Sequence, residues 1–140
     1  TPPPYRLREP TMSLMLSLWL LFIGVNQPAD LATELRTVVI EQLAGPVDRW
    51  RPLVGEYFPP DEIDTAMCIV KQESGGNPKA DNPNSSAVGL FQVLQSVWGP
   101  YYGVTTADLY DPEVNVLIAG DIWDRYGWGA WSPYRRGVCR

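Results

Sequence analysis

The stretch VKQESGGNPKADNPNSSAVGLFQV, residues 70–93, decides how the rest of the chain is read. Leading into it, Ile63, Ala66, Met67 and Val70 recur at helical spacing and define one apolar stripe. Glu73 stands three residues beyond Val70 and four beyond Ile69, so it continues that stripe rather than the wet face. Gly75 and Gly76 supply a positive-φ exit from the helix, and Asn77-Pro78 prevents it from resuming. A carboxylate on an apolar stripe loses hydration, which penalises its charged form and raises its pKa toward the range where it donates a proton near neutral pH. Cleavage of a glycosidic bond asks for such a proton at the leaving oxygen. The plain alternative is a glutamate that closes a helix and points into water.

The residues around Glu73 form a longer pattern. Glu73 and Ser74 are followed by Gly76, Asn77, Pro78 and Ala80, then by a polar loop, then by Gly89, Leu90, Phe91 and Gln92. Further on, LYDPEVNVLIAGDIW at residues 109–123 contains Asp-Pro-x-x-Asn, with Asn115 in the last position. Together these resemble the soluble lytic transglycosylase (SLT) domain, a branch of the lysozyme-like superfamily. The resemblance covers residues 50–134, and the combined motif is far more specific than any part. It implies a mostly α, two-lobed helical domain with a short irregular or β loop beside the cleft. The glycan strand of peptidoglycan would lie in that cleft.

By this resemblance Glu73 protonates the oxygen between N-acetylmuramic acid and N-acetylglucosamine. It then accepts the proton of the muramic 6-hydroxyl, leaving a 1,6-anhydromuramyl end, and neither cofactor nor metal is needed. Gln92 maps to the glutamine that lines the cleft, where an amide both donates to and accepts from an N-acetyl group; anchoring the loop is its alternative role. Ser74 maps to the serine beside the acid, to hold the carboxyl or the substrate, with a helix-end cap as the alternative. Many members carry Ala-Tyr-Asn-Ala-Gly after the final helix, whereas YGWGAWSPYRRG occupies residues 126–137 here. Tyr134 is the candidate for the missing phenol. Trp131 and Trp128 are candidates for stacking on sugars, against the alternative of filling the core.

Working outward, Leu31, Leu35, Val38, Val39 and Leu43 fall at helical spacing after Asn26 or Asp30, with Gly45-Pro46 as terminator. Residues 47–57 read as a short helix with Trp50, Leu53 and Val54 on one side. The helix that ends at Glu73 starts after Pro59-Pro60, with Asp61 as cap and Asp64 in its first turn. Residues 81–88 read as a loop or irregular hairpin, and residues 94–101 as a helix carrying Val97 and Trp98. Asp111 caps a last helix with Pro112 at its first position, with Val114, Leu117, Ile118, Ile122 and Trp123 on one side and Gly127 past its end. Nothing alternates with period two for long enough to build a central sheet.

The chain of 140 residues holds 11 Lys and Arg against 16 Asp and Glu, with no basic run longer than Arg135-Arg136. That excludes the electrostatic footprint of a nucleic-acid binder. It also contains no histidine, which excludes Ser-His-Asp and Cys-His nucleophiles and histidine-based zinc sites, so acid chemistry here is carboxylate chemistry. Cys68 and Cys139 are too few for a metal cage and lack Cys-x-x-Cys spacing. Either they form one bridge, which implies an oxidising compartment, or they are a small core residue and an unrelated tail thiol.

Residues 1–28 read as a proline-punctuated arm followed by an apolar helix, residues 29–46 as a connecting helix, and residues 47–140 as the lysozyme-like domain. The apolar run at residues 13–25 would reach roughly 20 Å as a helix, short of a bilayer core of about 30 Å. Two readings stay open for it, an uncleaved membrane anchor and a contact with partner subunits. The expected location is outside the cytoplasm, in the periplasm or cell envelope, or carried in a phage virion. Two rival functions are a goose-type hydrolytic muramidase, for which Asp81 is the second carboxylate to test, and a structural component of a particle or envelope assembly. The acidic balance gives the latter some support, because cell-wall strands are partly anionic, while the complete Glu73-to-Gln92 pattern argues the other way.

Overall fold

The computed structural model describes residues 45–140. The arm and apolar helix expected over residues 1–28, and the connecting helix up to residue 44, lie outside the described residues. A 3-10 turn, Asp48–Trp50, leads into α1, Arg51–Tyr57. Phe58 ends α1 in extended backbone, as the residue before a proline is forced to do. Its ring turns inward between Phe91 and Trp128, with centroids 5.4 and 5.3 Å away.

The helix that carries Glu73 is α2, Ile63–Ser74, which buries Ala66, Met67, Ile69 and Val70. Asp61 does not cap it. The backbone N–H of Glu62 donates to the Pro59 carbonyl (2.9 Å), closing a turn that absorbs Asp61, and Glu62 stands at the cap position without a side-chain capping bond. The Glu62 carboxylate instead accepts from Trp128 Nε1 (2.7 Å). Gly75 leaves α2 in the left-handed region at φ 61°. A side chain on Gly76 is excluded twice, since φ is 80° and a Cβ would lie 2.2 Å from the Pro46 carbonyl oxygen.

The polar loop returns through a two-stranded antiparallel hairpin of β1, Ala87–Val88, and β2, Val93–Leu94. Next come α3, Gln95–Tyr102, then α4, Thr106–Leu109, and α5, Pro112–Tyr126. The spacing did not reveal α4, a single turn held by a capping box between Thr105 and Asp108. In α5 the Asp111 carboxylate accepts from the N–H groups of Glu113 (2.8 Å) and Val114 (3.3 Å), as its sequence predicts. The buried face of α5 is wider than the apolar stripe and includes Asn115, Val116, Ala119 and Gly120, while Leu117 and Trp123 are half-buried. Gly120 lets α1 come close, because a Cβ there would lie 3.0 Å from the Tyr57 carbonyl oxygen. A second 3-10 turn, Gly127–Ala130, and a short α6, Ser132–Arg135, complete the fold. Cys139 then forms a disulfide with Cys68 of α2 across 71 residues of sequence. The architecture is mostly helical with one small sheet, the class read from the sequence.

Candidate active site

Glu73 sits in the last turn of α2 with its carboxyl half-buried, on the wall of a groove of about 200 Å³. Gln92 of the hairpin loop, Leu94, Trp98, Ile122, Trp131 and Arg135 line the same groove. Its sides therefore come from segments far apart in sequence. Burial pushes the Glu73 pKa above the ordinary carboxylate value, and the Arg136 and Arg135 guanidiniums pull part of the way back. Desolvation is the larger cause, so the group is biased toward holding its proton.

The hairpin loop is held on one buried polar side chain. Asn115 in α5 has no exposed surface, and both of its amide hydrogens and its carbonyl oxygen are engaged. Its Nδ2 donates to the carbonyls of Val88 (2.9 Å) and Leu109 (3.0 Å), and its Oδ1 accepts from the Phe91 N–H (2.9 Å). Gly89 passes so close that a Cβ would lie 2.3 Å from Asn115 Nδ2. This clamp sets the path of the loop that delivers Gln92.

Gln92 is the one non-glycine among the described residues at positive φ, at 52°. Its Nε2 donates to the carbonyls of Ala80 (3.2 Å) and Gly89 (3.1 Å). Both amide hydrogens serve the loop, so what Gln92 offers a ligand is the acceptor oxygen. Ser74 stands beside Glu73 but is not on the groove wall; its hydroxyl donates to the Val70 carbonyl (3.1 Å) and accepts from the Gly76 N–H (3.2 Å). Trp131 is on the wall yet only 6% exposed, with its indole N–H donated to the Phe91 carbonyl (3.0 Å). Trp128 is equally buried, with 6% exposed. Tyr134 is half-buried and away from the groove wall, under the Arg140 guanidinium at 5.7 Å. Asp81 is exposed and also off the wall, its carboxylate turned to the Tyr110 hydroxyl.

Sequence reasoning passed over Arg135, Leu94 and Trp98 as groove residues. Arg135 belongs to an exposed pair near the end of the chain, which carries no signal of its own. Leu94 is 42% exposed, and an apolar residue left exposed at a hairpin end reads as core until the fold is known.

Comparison with known proteins finds similarity over much of this region. Residues 59–126 match the family model described as the Transglycosylase SLT domain. A lysozyme C-like protein of Dictyostelium discoideum is 29% identical over 103 residues, covering 68% of this chain and 49% of its own length. The probable transglycosylase SceD of Staphylococcus aureus (strain Newman) is 41% identical over 69 residues, 45% of this chain and 29% of its own length. This chain thus spans about half the length of the first relative and under a third of the second. No solved structure matches it. Residues 59–126 are thus similar to an SLT domain, and they include Glu73, Gln92 and Trp98 of the groove but not Trp131 or Arg135.

Proposed function

We propose that the chain cleaves the β-1,4 glycosidic bond between N-acetylmuramic acid and N-acetylglucosamine in peptidoglycan, with Glu73 as acid and then base. The protonated carboxyl of Glu73 gives its proton to the glycosidic oxygen as the bond to the muramic C1 breaks. The resulting carboxylate takes the proton of the muramic 6-hydroxyl while that oxygen bonds to C1. The product is a 1,6-anhydromuramyl end, no water is consumed, and Glu73 returns to its starting state.

The observation that carries this reading is that Glu73 is the only carboxylate among the described residues lining the groove, and that burial biases it toward its protonated form. A two-carboxylate hydrolase needs a second acid across the scissile bond, roughly 5–9.5 Å from the first. Asp81 faces Tyr110 instead. The free acceptor oxygen of Gln92 suits the N–H of an acetamido group, and the cations of Arg135 and Arg136 suit the carboxylates of a wall peptide. The Cys68–Cys139 disulfide supports a location outside the cytoplasm.

Mass spectrometry of the muropeptides released from purified cell walls tests the bond and the mechanism together. Anhydromuramyl ends are the expected products. Reducing muramyl ends would replace the transglycosylase reading with a hydrolytic muramidase.

A further inference from the structure

Trp98 lines the groove, and the apolar surface continues outward from it. The large hydrophobic side chains most exposed among the described residues are Leu94 (42%), Val97 (54%), Tyr126 (63%) and Val138 (50%). Of these, Leu94 shares the groove wall with Trp98, Val97 adjoins it in α3, and the Tyr126 ring lies 5.9 Å from the Trp98 ring. A folded chain has no internal reason to leave aromatic surface in water, and a patch of it beside a groove marks a place where something binds.

The patch is also held in place. Tyr101 meets Trp98 edge-on at 5.9 Å, and Tyr102 lies 6.1 Å away. Behind them the Tyr102 hydroxyl donates to the Asp121 carboxylate. Asp121 also accepts from Arg125 Nε (2.9 Å), and Arg125 Nη1 donates to the Tyr101 hydroxyl (2.9 Å). This network fixes two of the rings that flank Trp98 and pairs the Asp121 and Arg125 charges directly behind them. A pyranose ring offers the matching surface, an apolar face of C–H groups with hydroxyls at its edge. A neutral aromatic face with polar groups behind it suits a sugar better than an anionic peptide.

We propose that Trp98, with Tyr126 beside it, is a sugar-stacking subsite that extends the groove and binds a neutral N-acetylhexosamine residue of the glycan strand, away from the bond being cut. The inference rests on the reading of the groove as a glycan site. Leu94 and Val97 widen the apolar surface, while Trp131 and Trp128 are too buried to offer a ring face.

The test uses the full chain carrying Glu73→Gln, so that bound glycans are not turned over. Its affinity for N-acetylglucosamine oligomers from the disaccharide to the hexasaccharide is measured by calorimetry, alone and with Trp98→Ala, Trp98→Phe or Tyr126→Ala added. The expected result is an affinity for the hexasaccharide about tenfold weaker in Trp98→Ala, a smaller loss in Tyr126→Ala, and recovery in Trp98→Phe, with disaccharide binding unchanged. Hexasaccharide affinity left unchanged by both Trp98→Ala and Tyr126→Ala overturns the subsite and leaves the role of Glu73 intact. Failure of the Glu73→Gln chain to bind any oligomer overturns the glycan reading together with the subsite. Should Trp98→Ala not fold, Tyr126→Ala decides alone, and unchanged affinity there rejects the proposal.

Discussion

Glu73 combines two environments in one side chain, since its helix buries it and the C-terminal arginines partly restore its charge. In the proposed reaction Glu73 starts protonated, so activity should persist to higher pH than an ordinary glutamate allows and fall as pH rises through the raised pKa. Arg136 lowers that pKa from outside the groove wall, so Arg136→Ala should move the alkaline limb of the kcat profile to higher pH. A limb that moved lower would show that another group sets it. Glu73→Gln removes the proton donor and should reduce kcat/KM by about 10²–10⁴, the range usual for one acid–base group. The same substitution separates chemistry from folding. A raised carboxyl pKa means that the stability Glu73 contributes is complete below the ordinary glutamate range and is lost as pH rises through the raised value. Replacing it by a neutral amide should therefore leave the melting temperature at neutral pH unchanged or higher, as calorimetry would read directly. Ser74 illustrates the limit of a motif at this scale, because the chain places a hydroxyl next to the acid and the folded helix end consumes its bonds.

Among the elements, the hairpin and α5 behave as one unit through Asn115. Replacing Asn115 by alanine strands the Val88 and Leu109 carbonyls and the Phe91 N–H in a dry site, at about 1–3 kcal/mol for each group left unsatisfied. The total loss should exceed about 3 kcal/mol in urea denaturation, with Gln92 displaced and glycan binding weakened in whatever remains folded. An effect under about 1 kcal/mol would mean that water replaces the amide at little cost. The long helices were legible in the sequence because each carries its own signals, as with Asp111 and Pro112 at the start of α5 and Gly75 at the end of α2. The hairpin was legible only as a loop or irregular hairpin, since two-residue strands have no periodicity to read. Asp61 failed as a cap for a related reason. Cap preference is local, and the turn closed by Pro59 started the helix later than the preference suggested.

Across the molecule, the Cys68–Cys139 bridge ties the C-terminal segment that carries Arg135 and Trp131 to the helix that carries Glu73. Closing a loop of 71 residues stabilises by about 4 kcal/mol on chain-entropy grounds. Reduction, or a Cys139→Ser variant, should lower the melting temperature on the order of 10 °C. It should also weaken glycan binding more than Glu73→Gln does, because the groove loses a wall; an unchanged melting temperature would show that the bridge holds nothing together. The sequence by itself determined the helical class and singled out Glu73, Gln92 and the two cysteines as candidates, because those readings depend on spacing along one helix or on residue type. Tertiary structure alone decided that the cysteines are joined, that Ser74 and Tyr134 stand off the groove, that Trp131 is buried while Trp98 meets solvent, and that Arg135 faces Glu73. Each of these depends on which distant segments meet, and burial belongs to the packed assembly rather than to any stretch of chain.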